Sequence, residues 1–302
     1  MIINVGTRGS KLAIAQTEYV ISKLKEKFPE HEYNTVIIST RGDRDLNSPL
    51  DQMGSKGIFV EEIEHALLNG EIQLAVHSMK DMPAYPLDGL CFAKAWKRED
   101  PRDVLILRDC DSLMELPIGA VVATGSKRRS YQLLKIRPDL KIVNIRGNID
   151  TRIRKLHEGL ADGTKLDGIV LAAAGLKRLH MEEHITEYFD VSDMVPSPAQ
   201  GTLAIELNSN NAVLKEMVDS ISNEDSETIT TLERGFLAAI GGDCHLPIGA
   251  YARKTNKGYE LTGLFGTEDG SALATSTFEG LEPIETLINN VVEDIKMQLR
   301  KN

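Results

Sequence analysis

Ala120-Val121-Val122-Ala123-Thr124-Gly125-Ser126-Lys127-Arg128-Arg129-Ser130-Tyr131-Gln132-Leu133-Leu134-Lys135 is the stretch on which the fold turns. Ala120–Ala123 is short and wholly apolar, the pattern of a buried strand. A glycine and two hydroxyl residues break the run, and a helix near Ser126–Lys135 follows with arginines at its start. Downstream the same alternation repeats: strands at Ile142–Ile145 and Ile169–Ala172, helices near Ile149–His157 and Ala174–Leu179, with a leading strand at Val104–Leu107. Strands alternating with helices imply an α/β fold with parallel sheets and right-handed crossovers.

Towards the N-terminus the plan is similar. Ile2–Gly6 reads as a strand, and Ser10 caps a helix to about Phe28, with Leu12, Ala15, Tyr19, Leu24 and Phe28 at roughly helical spacing and Pro29 ending it. Thr35–Ser39 and Leu74–His77 read as buried strands, and Ile58–Leu68 as an amphipathic helix with Phe59, Ile63, Ala66 and Leu67 inward. Arg41–Gly57 has no periodicity and is long for a loop, which predicts a mobile functional segment. The charged run Lys97–Asp103 reads as a crossover between domains, and Pro196-Ser197-Pro198 as a second one. The strand Thr202–Leu207 then returns to the first domain. A helix at Ser226–Ile240, strands at Ala250–Arg253, Tyr259–Phe265 and Ala272–Phe278, and a helix at Ile284–Leu299 predict a smaller α+β unit.

The chain has 302 residues, enough for two or three cores, and a formal charge of −10, which argues against general nucleic-acid binding. Its three cysteines, Cys91, Cys110 and Cys244, form no C-x-x-C pair; neither a disulfide framework nor a zinc site is expected, and a reducing compartment fits. Met1–Ser10 shows no signal-peptide pattern, and no apolar run reaches the roughly 18 residues of a membrane helix.

In so acidic a chain, tight groups of arginines point to a specific anion. Thr7-Arg8-Gly9-Ser10-Lys11, Thr124–Arg129 and Arg146-Gly147-Asn148 with Arg152 each stand where a strand gives way to a helix. There, free N–H groups, the positive helix end and a planar guanidinium converge on carboxylate or phosphate. Singly, each group reads equally well as surface arginines; together they favour an extended polyanion site. Ala75–Pro83 sends a buried strand into a polar turn. Its Asp81 is either a turn carboxylate or a catalytic one that binds an ammonium or a developing cation. His77 reads as structural more readily than as a base. Cys244, after Gly241-Gly242, is a packing residue unless other features make it a nucleophile or attachment point.

Those other features exist. Thr7-Arg8-Gly9-Ser10, His77-Ser78-Met79-Lys80-Asp81, Arg98–Asp103, Arg146-Gly147-Asn148, Ala173–Leu179 and the Gly-Gly…Cys-x-x-Pro-Ile-Gly segment occur in this order. Over roughly nine tenths of its length the chain resembles the hydroxymethylbilane synthase (porphobilinogen deaminase) family. The resemblance implies two doubly wound, periplasmic-binding-protein-like domains (1–97 with 197–216, and 102–192) and an α+β third domain (217–302), the active site lying between the first two. It implies a transferase that polymerises four porphobilinogen molecules head-to-tail on a dipyrromethane cofactor held by a thioether on Cys244, then releases the linear tetrapyrrole by hydrolysis. Asp81 matches the family's catalytic aspartate. Arg8, Ser10, Lys80, Thr124, Ser126, Arg128, Arg129, Arg146, Arg152 and Arg178 match its cofactor and substrate contacts, and Lys56 falls in its flexible lid. A cytoplasmic monomer without metal, nucleic acid or membrane partner is implied. On this basis, replacing Arg128 or Arg129 is expected to impair cofactor assembly or elongation and not stability.

Two positions depart from the family pattern: Asp243 precedes the cysteine where Gly is usual, and Lys127 stands where an apolar residue is common. Two other readings compete. A non-catalytic two-lobed anion-binding protein leaves the third domain and Cys244 unexplained, and a phosphate-handling transferase lacks the G-x-x-x-x-G-K-[ST] run.

Overall fold

The structure, a computed structural model, describes residues 1–40, 60–241 and 246–301. β1 (Ile2–Thr7) leads into α1 (Lys11–Lys27), which Ser10 caps by accepting from the Ala13 N–H at 3.2 Å. The cap satisfies one of the donors that the first helical turn leaves open. α1 presses Val20, Ile21 and Leu24 into the core.

β2 (Glu32–Ile37) corrects the expectation of a buried strand at Thr35–Ser39. It starts earlier and forms the sheet edge; only Tyr33 is fully buried, and Ile37 is 60 % exposed. β-branching here reflects strand preference and not burial. α2 (Glu61–Leu68) buries Ile63, Ala66 and Leu67, while Phe59, also read as inward, lies outside the described residues. β3 (Leu74–Ser78) is buried on both faces, and β4 (Leu90–Phe92) follows.

The chain then crosses into a second sheet: β5 (Asp103–Leu107), β6 (Val121–Ala123), α3 (Lys127–Ile136), β7 (Lys141–Val143), α4 (Ile149–Glu158), β8 (Gly168–Ala172), α5 (Ala173–Arg178) and β9 (Glu187–Tyr188). It returns through Pro196–Pro198 into β10 (Leu203–Asn208) and α6 (Ala212–Asp219). The two five-stranded sheets share one plan, β2-β1-β3-β10-β4 and β7-β6-β8-β5-β9. In each, three parallel strands are followed by an antiparallel strand that borders a crossover: β10 against β3 and β4, β5 against β8 and β9. The sheets are therefore mixed, where alternation alone predicted parallel ones. The strand bordering each crossover enters from the other lobe, so it runs opposite to the strands built by local strand–helix units.

A third unit is made by α7 (Glu224–Ile240), the antiparallel strands β11 (Ile248–Thr255), β12 (Gly258–Gly266) and β13 (Leu273–Gly280), and α8 (Ile284–Lys301). Its core joins Leu232 and Phe236 of α7 to Leu261 and to Leu287 and Val291 of α8. α6 instead packs Leu214, Met217 and Val218 into the core of the first sheet. Among the described residues no helix is long and apolar enough to cross a membrane.

The crossovers meet each other. Gly201 has φ +91, and a Cβ there would run into the Glu99 carbonyl; its own carbonyl accepts from the Glu99 N–H at 3.2 Å. Only glycine accepts both the backbone angle and the close approach. Arg98, part of the charged run read as a linker, turns its side chain inward, 8 % exposed: its guanidinium binds both carboxylate oxygens of Glu233 on α7 at 2.7 and 2.9 Å. Glu233 also accepts from the Ala199 and Ala252 N–H groups, each at 2.7 Å, so one buried carboxylate ties both crossovers to the third unit.

Candidate active site

A cavity of about 280 Å³ opens between the two large sheets. It is lined by the segments after β1, β3, β7 and β8 and by the return crossover at Gln200–Thr202. These are the carboxyl ends of the parallel strands, where α/β sheets hold ligands.

Asp81 lies in the single 3-10 turn Met79–Asp81 that ends β3. Met79 and Met82, 3 % and 1 % exposed, anchor the turn in the apolar core, while the Asp81 side chain is exposed and lines the cavity. Next to it, the Lys80 ammonium donates to Gln200 Oε1 at 3.1 Å, and burial pushes its pKa down to about 8. Ser78 accepts from the Gln16 side-chain amide at 3.0 Å on the same wall. Arg8 and Ser10 line the cavity from the β1–α1 turn, with the Ser10 hydroxyl already engaged as a helix cap.

From the second lobe come Arg129 and Arg152, and from α5 Arg178. Arg152 donates to the Gly147 carbonyl at 2.7 Å and Arg178 to the Gly201 carbonyl at 2.6 Å. Burial pushes each down to about 10, yet both stay charged at neutral pH. Asp81 partly offsets the shift at Arg152, so the two groups lie within electrostatic reach. Among the described residues neither arginine makes an ion pair with a carboxylate. Partly desolvated cations held only by carbonyls are stabilised when a carboxylate-bearing ligand arrives.

Thr124, Ser126, Arg128 and Arg146 are not part of this lining. Ser126 caps α3, accepting from the Arg129 N–H at 3.4 Å, and the Thr124 hydroxyl accepts from the Ser126 N–H at 3.2 Å. Arg146 lies in the turn before α4, and its carbonyl accepts from the Lys155 ammonium at 2.9 Å. Arg128 is buried; it donates to Asp103 Oδ2 and to the Val195 carbonyl, both at 2.7 Å. Arg129 reaches the other oxygen of Asp103 through Nε at 3.0 Å and Nη2 at 2.7 Å. Burial alone would raise the Asp103 carboxyl, but the two guanidiniums outweigh it and hold it well below the usual carboxylate range. Gln200 joins this centre to Lys80 by donating to Asp103 Oδ1 at 2.9 Å. The expectation assigned Arg128 and Arg129 to ligand and not to stability; both belong to a buried ion cluster with Asp103, and Arg129 lines the cavity as well. Cys244, Asp243 and the whole Arg41–Gly57 stretch, Lys56 included, lie outside the described residues.

Residues 3–216 match the family model described as porphobilinogen deaminase, dipyromethane cofactor binding domain, and residues 228–296 match the porphobilinogen deaminase C-terminal domain. The chain belongs to the porphobilinogen deaminase family. A relative from Clostridioides difficile (strain 630), named porphobilinogen deaminase, is 50% identical over 281 residues, covering 93% of this chain and 92% of the relative. One of the same name from Lachnospira eligens is 52% identical over 274 residues, covering 90% and 92%. Among solved structures, the methionine-binding protein MetQ aligns over 77% of this chain and 94% of its own at 14% identity and a TM-score of 0.45. Membership makes the chain a transferase of tetrapyrrole biosynthesis whose first two lobes form the dipyrromethane-binding domain.

Several residues of this site went unmarked in the sequence. Asp103 carried a signal: a carboxylate opening the apolar run Val104–Leu107, a position that burial makes costly without a cation. Gln16 interrupts the apolar stripe of α1. Gln200, between Pro198 and Gly201, carries none. His77, read as structural more readily than as a base, is 6 % exposed, with Nε2 3.4 Å from an oxygen of the fully buried Glu206 on β10, and it also lines the cavity.

Proposed function

We propose that the chain condenses four porphobilinogen molecules head-to-tail on a dipyrromethane group carried by Cys244 and then hydrolyses off the linear tetrapyrrole, acting as a cytoplasmic monomer. The observation that carries this is the convergence of Lys80, Arg152 and Arg178, none with a carboxylate ion-pair partner among the described residues, on one cavity with the exposed carboxylate of Asp81. Acetate and propionate side chains of pyrrole units suit those cations, so the residues fit the dipyrromethane group that the matched domain binds. When bound, that group supplies the free pyrrole carbon to be extended.

The protein's part is electrostatic. Asp81 holds the aminomethyl ammonium of the incoming porphobilinogen, and its negative charge favours the cation that develops as ammonia departs. Arg8, Lys80, Arg129, Arg152 and Arg178 orient the carboxylates, and Ser10 adds a hydroxyl at the rim. Thr124, Ser126, Arg128 and Arg146 support the second-lobe wall. Of the three units (1–97 with 197–216, 102–192 and 217–302), the first, whose core also takes up the end of α6 through Met217 and Val218, brings Asp81, the second the arginines and the third Cys244. Lys56 belongs to the segment proposed as a lid. Cys91 and Cys110 are free thiols, which suits a reducing compartment.

Incubation with porphobilinogen tests the reading. Ammonia should appear together with a product that oxidises to a coloured porphyrin, and Asp81→Ala should lose about 10²-fold or more of the turnover while keeping its fold. Normal turnover by Asp81→Ala would remove the role assigned to that carboxylate.

A further inference from the structure

Arg234 of α7 enters neither the ligand cavity nor the core of the third unit. Its guanidinium donates from Nη2 to the carbonyls of Pro83 and Ala84 at 2.6 and 2.8 Å and from Nη1 to that of Met79 at 3.4 Å. Its planar face lies over the Phe92 ring, 5.2 Å from the centroid. Among the described residues it has no carboxylate ion pair. Its three acceptors bracket Asp81: one carbonyl stands before it, two stand after the turn. The Met79 carbonyl also accepts from the Met82 N–H at 3.1 Å within the turn, while Pro83 and Ala84 lie just beyond it; a fork of N–H donors reaches all three carbonyls at once and ties the turn to the segment that follows. The preceding residue, Glu233, binds Arg98 and the Ala199 N–H. Two successive residues of one helix thus hold the crossovers and the Asp81 turn. α7 ends at Ile240 with Gly241 in the left-handed conformation, a few residues before Cys244 in the sequence.

We infer that Arg234 is a positioning residue for the condensation, acting through the backbone to hold the Asp81 carboxylate in register with the helix that leads to Cys244. The inference rests on the catalytic role proposed for Asp81. Arg234 touches no reacting atom; it fixes the turn from which Asp81 projects. A misplacement of about 1 Å at such a group costs up to about 10²-fold in rate, because stabilisation of a developing charge depends on alignment. The substrate's carboxylates are held elsewhere in the cavity and its one contact with Asp81 is the ammonium, so the loss falls mainly on kcat and KM changes by no more than about twofold.

The experiment compares Arg234→Met, Arg234→Lys and wild type as cofactor-loaded enzyme, with loading checked by intact mass and folding by thermal melting. With porphobilinogen as substrate, Arg234→Met should lose about tenfold or more in kcat with KM within about twofold. Arg234→Lys, a single ammonium in place of a fork, should recover part of that loss. In the Asp81→Glu background, where the carboxylate is already displaced, Arg234→Met should cost much less than in wild type. Should Arg234→Met fail to fold, Arg234→Lys and its combination with Asp81→Glu decide. A kcat within about twofold of wild type in the folded variants, a change confined to KM, or losses that multiply fully with Asp81→Glu would overturn the inference. Normal turnover by Asp81→Ala would instead bring down the reading of Asp81 on which it rests.

Discussion

Replacing Asp103 by Asn probes the centre of the second lobe. The side chain keeps its shape and loses its charge. In the wild type the carboxylate accepts four hydrogen bonds at 2.7–3.0 Å: one from Arg128, two from Arg129 and one from Gln200. Arg128 and Arg129 are 4 % and 6 % exposed, so neither charge can move into water without rearranging α3. Asparagine has one acceptor oxygen, and its amide aims donors at donors. Two buried guanidiniums would face each other without an anion between them. Removing one partner from a buried ion cluster costs about 3–5 kcal/mol. At about 2–4 °C per kcal/mol for a unit of this size, the melting temperature should fall by about 6–20 °C. Differential scanning calorimetry of the two proteins at equal cofactor loading reads the effect directly. A fall smaller than about 2 °C would refute the reasoning and return Arg128 and Arg129 to the ligand-contact role alone.

Further outcomes follow from other sites. Burial lowers Lys80 from 10.5 to about 8, so kcat/KM for porphobilinogen should fall as pH rises through about 8, where the free enzyme loses an ammonium contact; Lys80→Arg should flatten that limb of the profile. The stability of the free protein should move the other way. Between about 8 and 10.5 the unfolded chain binds more protons than the folded one, so stability rises with pH there, as denaturant titrations can show. Gly201→Ala should destabilise by about 1–2 kcal/mol from the backbone angle alone and more from the Glu99 carbonyl, measurable as a lower urea midpoint.

Local chemistry was legible where it is written locally. The Ser10 cap, the apolar strand at Leu74–His77 and the strand–turn–helix at Ala120–Lys135 follow from spacing and side-chain type. What required the folded chain was long-range pairing. Arg128 and Arg129 look like ligand arginines because their partner Asp103 stands 25 residues upstream of Arg128, across a sheet. Glu233 gives no hint that it holds Arg98 135 residues away. The antiparallel strands β5 and β10 follow from crossover geometry, which strand–helix alternation does not encode. Thr35–Ser39 carries the composition of a buried strand, but its edge position is set by sheet order.

The covalent chemistry proposed at Cys244 is open to intact mass spectrometry with peptide mapping. A mass excess equal to two linked pyrrole units is expected on the peptide that contains Cys244, with further increments of one pyrrole unit after brief exposure to porphobilinogen. A Cys244 that carries no adduct, and gains none on incubation with porphobilinogen, would contradict it.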